Sequence, residues 1–341
     1  MKAMQITHIS NFDLDQAPLK WVDVPQPVPG KGQILIKVSA CGVCHTELDE
    51  IEGRTPPSHL PLIPGHQVVG RVVQAGPGAS RFQTGDRVGV AWIYSACGHC
   101  KFCQSGQENL CQEFKATGRD ANGGYAEFMA VSDAFAYPLP EIFSDVEVAP
   151  LLCAGAVGYR SLKLTAIQNG QALGLSGFGA SGHLVLKLAR SQYPDSKIYI
   201  FSRSERERSF AVELGAAWAG GFEETCPQKL DAIIDTTPAW KPVVEALRNL
   251  EPGGRLVINA IRKESTDKDY LLSLDYAAHL WLEKEIKSVA NVTRQDVLEF
   301  LDLAAAIPIR PEIQEFPLAD ANQALAELKS RNIRGAKVLR L

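Results

Sequence analysis

Residues 171–182 read QALGLSGFGASG, in which an apolar strand leads into a glycine-rich turn that opens a helix. Gly177, Gly179 and Gly182 lie in G-x-G-x-x-G register. In this pattern the first glycine permits a tight turn, the second lets a pyrophosphate approach the backbone, and the third lets the helix pack against the strand. The N–H groups of the helix N-terminus then face the phosphates. Because these glycines lie between a strand and a helix, they predict a dinucleotide site, and a purely structural loop is the alternative.

The chain around this turn alternates between apolar strands and helical patterns. After the first strand, the predicted elements are a helix over Ser181–Gln192, the strand KIYIF (197–201), a helix over Arg206–Leu214, the strand LDAIID (230–235), a helix over Lys241–Leu250, and the strands RLVINA (255–260) and IKSVA (286–290). Strands that alternate with helices form parallel sheets through right-handed crossovers. The pattern therefore predicts an α/β protein with a doubly wound parallel-sheet (Rossmann) nucleotide-binding domain over residues 154–290.

The first 150 residues are rich in short strands and turns. Gln33–Val38, Val68–Val73 and Arg87–Val90 are alternating or continuous apolar runs that predict strands. Glycine- and proline-containing turns such as PVPGKG separate them. This part of the chain is therefore expected to be β-rich.

The C-terminal segment has a third composition. It predicts helices near Arg294–Ala306 and Leu318–Ser330 and a last strand, KVLRL (337–341). We expect it to return to the first domain. The predicted organisation is a β-rich domain over residues 1–153, completed by residues 291–341, with the nucleotide-binding domain between them.

The residues that follow KIYIF bear on which dinucleotide is bound. Sites for NAD usually have an acidic residue about 20 residues after the glycine-rich turn, where it bonds the ribose 2′-hydroxyl. This chain has Ser202 and Arg203 there. A serine does not repel a 2′-phosphate, and an arginine can bind one through charge-assisted hydrogen bonds. We therefore expect NADP(H) to be preferred, with NAD(H) admissible; the alternative is that Arg203 is a solvated loop residue and selection is loose.

Four cysteines are concentrated in the segment CGHCKFCQSGQENLC, at Cys97, Cys100, Cys103 and Cys111. Gaps of two residues let a loop wrap around one ion, and four thiolates are a usual ligand set for structural zinc. The alternative is a disulfide cluster, which is typical of small secreted domains. Since this chain has 341 residues and its N-terminus, MKAMQITHIS, lacks the apolar core of a signal peptide, zinc is the better interpretation.

The bulk properties exclude several partner classes. Hydrophobic residues make up 45% and charged residues 22%, which is typical of a globular protein, and the net charge of −4 gives no reason to expect nucleic acid or an anionic membrane. No apolar stretch approaches the roughly 20 residues that span a bilayer. Eight cysteines without an export signal predict a cytoplasmic protein.

A second set of metal-binding residue types is scattered along the chain. It consists of Cys44 in CGVCHTELD, His66 in LPLIPGHQVVG and Cys153 in LLCAG. Each residue alone is more often a core residue than a ligand, and spacing does not show that the three converge. Taken with the four-cysteine segment and GFGASG, however, these motifs resemble the zinc-dependent alcohol dehydrogenases of the medium-chain dehydrogenase/reductase family. The resemblance covers essentially the whole chain.

The resemblance implies a β-rich, GroES-like catalytic domain and two zinc ions per chain. It implies that Cys44, His66 and Cys153 hold the catalytic zinc, a set of two thiolates and one imidazole that leaves a fourth position open, while the four-cysteine segment holds the structural zinc. Zinc in such a position acts as a Lewis acid on an alcohol or carbonyl oxygen, and the nicotinamide carries the hydride.

The resemblance also implies roles for four neighbouring positions. Thr46 matches a hydroxyl residue that bonds the substrate oxygen and begins the proton relay. Glu47 matches an acid that orients the histidine ligand. His45 matches a position near the cofactor pyrophosphate, and Val157 one that faces the nicotinamide.

Four positions bear on proton transfer and substrate range. Gln67 follows the histidine ligand where many relatives have glutamate, and Asp49 occupies the position of a relay histidine. Thr55 stands where enzymes for small alcohols often have tryptophan, whereas Trp92 matches an aromatic pocket position. We expect a wide apolar pocket that favours medium-chain or aromatic primary alcohols and aldehydes over ethanol.

The expected function is therefore a zinc-dependent alcohol dehydrogenase or aldehyde reductase. The alternatives are a polyol or other secondary-alcohol dehydrogenase of the same family, and a non-enzymatic zinc- and nucleotide-binding sensor. We expect a small-molecule substrate and a homodimer or homotetramer.

Overall fold

The chain folds into two compact units in the computed structural model, which describes residues 1–307, 309–330 and 335–341. Unit 1 comprises Met1–Ala156 and Val292–Leu341, and unit 2 comprises Val157–Asn291. The predicted boundaries, after residues 153 and 290, lie close to the observed ones, which fall after residues 156 and 291. Of the predicted C-terminal segment 291–341, residues 308 and 331–334 lie outside the described residues.

Strands and helices are numbered in chain order over the described residues. The strands are β1 (Lys2–Ile6), β2 (Leu19–Asp23), β3 (Gln33–Val43), β4 (Val68–Ala75), β5 (Arg87–Val90), β6 (Ile93–Ser95), β7 (Lys115–Ala116), β8 (Phe128–Ser132), β9 (Ala136–Pro138), β10 (Leu173–Ser176), β11 (Ile198–Phe201), β12 (Trp218–Gly220), β13 (Leu230–Asp235), β14 (Leu250–Ile258), β15 (Glu285–Ser288), β16 (Ile313–Pro317) and β17 (Ala336–Arg340). The α-helices are α1 (His45–Ile51), α2 (Lys101–Gln104), α3 (Asp145–Val148), α4 (Ala154–Thr165), α5 (Ala180–Gln192), α6 (Glu205–Glu213), α7 (Lys241–Asn249), α8 (Tyr276–His279), α9 (Arg294–Ala306) and α10 (Ala321–Lys329).

Unit 2 contains the predicted doubly wound sheet. Its six strands are all parallel and lie in the order β12-β11-β10-β13-β14-β15. Strands β10 and β11 are buried along their whole length, as expected for central strands covered by helices on both faces. The α/β fold class is confirmed, and the short edge strand β12 is an addition that the sequence did not suggest.

Unit 1 is built on a mainly antiparallel sheet in which β3 is the central strand. The path runs β16-β17-β3-β4-β5-β9, and β8 also pairs with β3. The last strand, β17, pairs antiparallel with β3 so that Lys337 lies opposite Val43. Strand β17 of the C-terminal segment therefore belongs to the same sheet as β3, the strand that leads into α1.

Helix α9 anchors that C-terminal segment in the core of unit 1. Its N-cap, Thr293, and its third residue, Asp296, satisfy each other's backbone N–H groups in a capping box. Phe300, one turn further, is fully buried. Its ring packs on Gly155, where an added Cβ would lie only 2.2 Å from the ring. A glycine is therefore required opposite the ring.

None of the helices in the described part of the chain is both long and apolar enough to cross a membrane.

Truncation of Phe300 tests this anchoring. We expect Phe300→Ala to lower the free energy of unfolding of the unit that contains it by about 3–5 kcal/mol, because the change removes a fully buried ring and leaves a cavity. Urea-induced unfolding followed by circular dichroism measures the change. The matched control is Gln295→Ala on the exposed side of the same helix. Equal stability of the two variants would contradict the packing argument.

Candidate active site

The first metal-binding candidate, Cys44, is fixed by the start of helix α1. It directly follows β3 and is the N-cap of α1. The Glu47 carboxylate accepts a hydrogen bond from the Cys44 backbone N–H at 2.7 Å. This capping box orients Cys44 and holds the Glu47 side chain beside it. Cys44 is half-buried, and Glu47 is fully buried.

His66 is held in place by the second oxygen of the same carboxylate. Its Nδ1 atom lies 2.7 Å from Glu47 Oε1, and both side chains are almost wholly removed from solvent. An imidazole whose Nδ1–H faces Glu47 presents Nε2 to a metal, an assignment inferred from the 2.7 Å contact between Nδ1 and Oε1. That Nε2 atom lies 3.2 Å from Cys153 Sγ.

Three donor atoms consequently converge in unit 1. The donor atoms of Cys44, His66 and Cys153 all lie within 4.8 Å of one another. Zn–S and Zn–N bonds of about 2.3 and 2.0 Å place the ligand atoms of one tetrahedral ion at separations of this size. The set therefore fits a zinc ion with three protein ligands.

The electrostatics of this cluster favour a cation. A hydrogen bond with Cys153 lowers the pKa of the Cys44 thiol well below its usual value, and the same contact raises the pKa of Cys153. Burial opposes protonation of His66, but the Glu47 carboxylate nevertheless raises the pKa of His66 well above its usual value. Buried negative groups thus attract positive charge, which Zn²⁺ would supply while displacing protons from its ligands.

The second cysteine cluster is compact as well. The Sγ atoms of Cys97, Cys100, Cys103 and Cys111 lie within 4.8 Å of one another. The Cys100 backbone N–H donates to Cys97 Sγ at 3.4 Å, and the Cys103 backbone N–H lowers the pKa of Cys100 to about 7. Four sulfur donors at this spacing fit a closed tetrahedral zinc site, which has no position left for a substrate.

The remaining predicted residues of this region have varied surroundings. Thr46 is buried, and its Oγ1 lies 3.6 Å from Cys44 Sγ. Asp49 Oδ1 accepts from Arg54 Nε at 2.5 Å. The side chain of Gln67 is buried against Gly42, whose added Cβ would lie 2.6 Å from the amide oxygen. His45 is exposed at the first turn of α1.

An aromatic wall lies beside the histidine of the first cluster. Trp92 packs edge-on against His66 with ring centroids 5.0 Å apart, and Phe114 lies 6.4 Å beyond it. The Arg119 guanidinium lies 5.7 Å from the centroids of both aromatic rings. Thr55 has a buried hydroxyl that makes no hydrogen bond within the described residues.

Sequence reasoning missed Phe114, Arg119 and Glu50. The first two belong to loop segments without a motif, so only their contacts with Trp92 identify them. Glu50 lies one turn after Glu47 on α1 and is fully buried, and neither carboxylate oxygen takes a hydrogen bond from the described residues. Burial raises the pKa of Glu50 well above its usual value. The three-residue spacing of Glu47 and Glu50 on one helix face was the available sequence signal.

The glycine-rich turn in unit 2 has the geometry of a phosphate cradle. Gly177 has φ of +85°, and an added Cβ would lie 2.6 Å from Thr236 Oγ1. A Cβ on Gly182 would lie 2.9 Å from the Gly177 carbonyl oxygen, so the helix packs closely there. By contrast, a Cβ on Gly179 would meet no atom within 4 Å. The open backbone at Gly179, at the N-terminus of α5, fits the approach of a pyrophosphate.

The end of the neighbouring strand carries the other predicted cofactor residues. Ser202 directly follows β11 and is buried, whereas Arg203 is exposed. Ser202 Oγ donates to the carboxylate of Glu207, a residue that sequence reasoning passed over. Val157 is half-buried in α4, where its carbonyl oxygen accepts from Ser161 Oγ at 2.6 Å.

Comparison with known proteins agrees with this architecture. The family model described as the alcohol dehydrogenase GroES-like domain matches residues 30–141, and the model described as zinc-binding dehydrogenase matches residues 211–339. A probable alcohol dehydrogenase of Mycobacterium tuberculosis is 44% identical over 331 residues, which cover 96% of this chain and 94% of that protein. An alcohol dehydrogenase of Geobacillus stearothermophilus is 33% identical, with coverage of 94% for each chain.

Solved structures are similar over the full length. A cinnamyl alcohol dehydrogenase of Sorghum bicolor superimposes with a TM-score of 0.86 at 26% identity, covering 99% of this chain and 97% of the other. A cobalt- and zinc-bound thermostable alcohol dehydrogenase of Pyrobaculum aerophilum gives 0.86 at 25% identity, covering 100% and 99%. The resemblance noted in the sequence is confirmed: this chain belongs to the zinc-binding alcohol dehydrogenases of the medium-chain dehydrogenase/reductase family.

Proposed function

We propose that this protein is a zinc-dependent alcohol dehydrogenase and aldehyde reductase. It would transfer hydride between NADP(H), with NAD(H) also accepted, and a medium-chain or aromatic primary alcohol or aldehyde. The observation that carries the proposal is the convergence of the Cys44, His66 and Cys153 donor atoms within 4.8 Å. Three donors of this kind suit a catalytic zinc because they leave the fourth position to water or substrate.

The chemistry divides between the bound groups and the chain. When bound, zinc supplies a Lewis acid for the substrate oxygen and the nicotinamide accepts or returns the hydride. The chain's part is to hold the ligands rigid. Glu47 does this by accepting the Cys44 backbone N–H and by pairing with His66 at 2.7 Å from Nδ1, a contact that orients the imidazole and favours the tautomer with its proton on Nδ1. Gln67 is neutral and packs on Gly42, so the site has one negative charge fewer than it would have with glutamate at this position.

Oxidation of an alcohol also releases the proton of its hydroxyl group. Thr46 is the proposed first acceptor, because its hydroxyl lies beside Cys44 and can both accept and donate a hydrogen bond. Asp49, on the next turn of α1, is the proposed onward acceptor toward solvent. The Arg54 side chain that bonds Asp49 is one-third exposed, so the pair connects the buried side of the helix with water. His45 and Val157 are proposed to contact the cofactor.

The substrate range follows from the aromatic wall. Trp92 lies beside His66 and Phe114 extends the apolar ring surface from Trp92, and Thr55 has a much smaller volume than the indole of many enzymes for small alcohols. An apolar pocket that is wide at one side gains binding energy from each additional methylene or aromatic ring, at about 0.8 kcal/mol per buried CH₂. Ethanol buries too little apolar surface to gain this binding energy.

A substrate series tests the pocket. We expect kcat/KM to rise from ethanol to octanol and to be high for benzyl alcohol. Thr55→Trp should shift the order toward short alcohols, because the indole fills the wide side, with a change on the order of 10-fold for octanol. Thr55→Val is the matched control, since it removes the hydroxyl at nearly constant volume. Ethanol as the best substrate of the wild-type enzyme would refute this pocket.

Metal analysis tests the two zinc sites separately. We expect two zinc ions per chain. Cys44→Ser should lose one zinc and lower turnover by more than about 100-fold, because loss of a direct ligand exceeds the 10–100-fold effect of an outer partner. Cys100→Ser should lose the other zinc and lower the melting temperature. Elemental analysis and thermal unfolding give the readouts.

Cys226→Ser is the control for that experiment. Cys226 is buried in unit 2 and belongs to neither cluster, so the variant should keep both ions. Two zinc ions per chain in Cys44→Ser would contradict the assignment of Cys44 to the catalytic zinc site without affecting the assignment of the structural zinc site.

Cofactor preference is the next proposed property. Arg203 is exposed and directly follows Ser202 at the end of β11, where a 2′-phosphate would be recognised. We expect a lower KM for NADPH than for NADH. Arg203→Ala should raise the KM for NADPH about 10-fold, the scale of one lost charge-assisted hydrogen bond, and leave that for NADH nearly unchanged. Equal effects on both cofactors would show that Arg203 does not recognise the 2′-phosphate.

Assembly and location complete the proposal. Strand β15 is an edge strand of its sheet and is exposed along its length, and the side chains of Trp281, Leu282 and Ile286 beside or within it are exposed. An unprotected edge with apolar neighbours favours pairing with a second copy, which supports a homodimer or a homotetramer. A cytoplasmic location is proposed because zinc-binding thiolates are stable in a reducing compartment.

A further inference from the structure

The end of β11 carries a carboxylate that the sequence pattern does not reveal. Ser202 is 1% exposed, and its hydroxyl donates to Glu207 Oε2. The same Ser202 oxygen accepts the backbone N–H of Ser204 at 3.2 Å. Glu207 is half-buried and is thereby held against the strand end, five residues after the position where an acid is usually sought.

In helix α6 the Glu207 carboxylate does not bond the N-cap backbone N–H, as it would in a capping box. Ser204 is the N-cap of α6 and Glu207 is its third residue, the S-x-x-E arrangement in which the acid returns to the N-cap backbone. Helices α3 and α9 follow that rule: Glu147 accepts from Ser144 N at 2.8 Å, and Asp296 accepts from Thr293 N at 2.9 Å. In α6 the N-cap N–H bonds Ser202 instead, so Glu207 is free to bond the Ser202 hydroxyl.

The charge of Glu207 is not neutralised by its neighbours on the helix. Arg208 pairs with Glu205 and donates to the Ser202 carbonyl oxygen at 2.7 Å. Within the described residues Glu207 forms no ion pair. A carboxylate without an ion-pair partner among the described residues therefore lies beside Ser202, and the exposed Arg203 directly follows Ser202 in the chain.

We propose that Glu207 sets the discrimination between NADP(H) and NAD(H), taking the part of the acid that is missing from the strand end. Its carboxylate accepts from a ribose 2′-hydroxyl and repels a 2′-phosphate. Arg203 acts in the opposite sense, attracting the phosphate. The two charges oppose each other, so the wild-type preference for NADP(H) is modest. This inference rests on the proposed dinucleotide function and deepens it.

The test uses the zinc-loaded, full-length protein with Glu207→Gln, which keeps the shape of the side chain and removes its charge. We expect the ratio of kcat/KM for NADPH to that for NADH, measured with benzaldehyde, to rise about 10-fold, the scale of one interaction with a charged group. A readout independent of turnover is calorimetric binding of adenosine 2′,5′-bisphosphate and AMP. Their ratio of dissociation constants should shift by the same factor.

Glu205→Gln is the matched control, because Glu205 lies on the same turn, is exposed and pairs with Arg208. It should change either ratio less than twofold. Glu207→Ala is a second variant that also removes the charge and should shift both ratios in the same direction as Glu207→Gln.

The outcomes separate this inference from the proposal on which it rests. Ratios in Glu207→Gln that stay within twofold of wild type overturn the role of Glu207. A wild-type enzyme that prefers NADH but shifts toward NADPH in Glu207→Gln supports Glu207 and overturns only the NADP(H) preference. A wild-type protein that binds neither nucleotide overturns both.

Discussion

The two oxygens of the Glu47 carboxylate connect the parts of unit 1 on which the site depends. One oxygen accepts from the Cys44 backbone and starts helix α1, and the other lies against Nδ1 of His66, on a different segment of the chain. The carboxylate is fully buried, so water does not compete for it. These two contacts of Glu47 therefore set the direction of the Cys44 thiol and the tautomer of the imidazole. Cys153 is the third member of the set, with its Sγ 3.2 Å from His66 Nε2.

The charges around Glu47 favour a cation at the cluster of Cys44, His66 and Cys153. The lowered pKa of Cys44 and the buried Glu47 make the cluster attractive to a cation, and against the effect of burial the same two groups raise the pKa of His66. Trp92 packs edge-on against the histidine, and Phe114 packs against Trp92. The four-cysteine cluster is separate from this chemistry and fits a role in holding its loop.

What the sequence could predict depended on how locally each feature is encoded. GFGASG and the four-cysteine segment lie within a few residues, so chain geometry alone brings their groups together. Cys44, His66 and Cys153 do not, since 87 residues separate the last two, and only a family resemblance suggested their convergence. Glu207 was missed because its position depends on the N–H of Ser204 bonding Ser202, a choice between two acceptors that is made in the folded chain. Arg119 and Glu50 were missed for the same reason: their significance lies in packing.

We propose that the chain holds one zinc ion with four sulfurs and another with two sulfurs and one imidazole. Zinc-edge X-ray absorption of the fully loaded protein tests it most directly. We expect an average of about three sulfur neighbours near 2.3 Å and one nitrogen or oxygen neighbour near 2.0 Å per zinc ion. An average of four sulfur neighbours with no light neighbour, or a single zinc ion per chain, would contradict it.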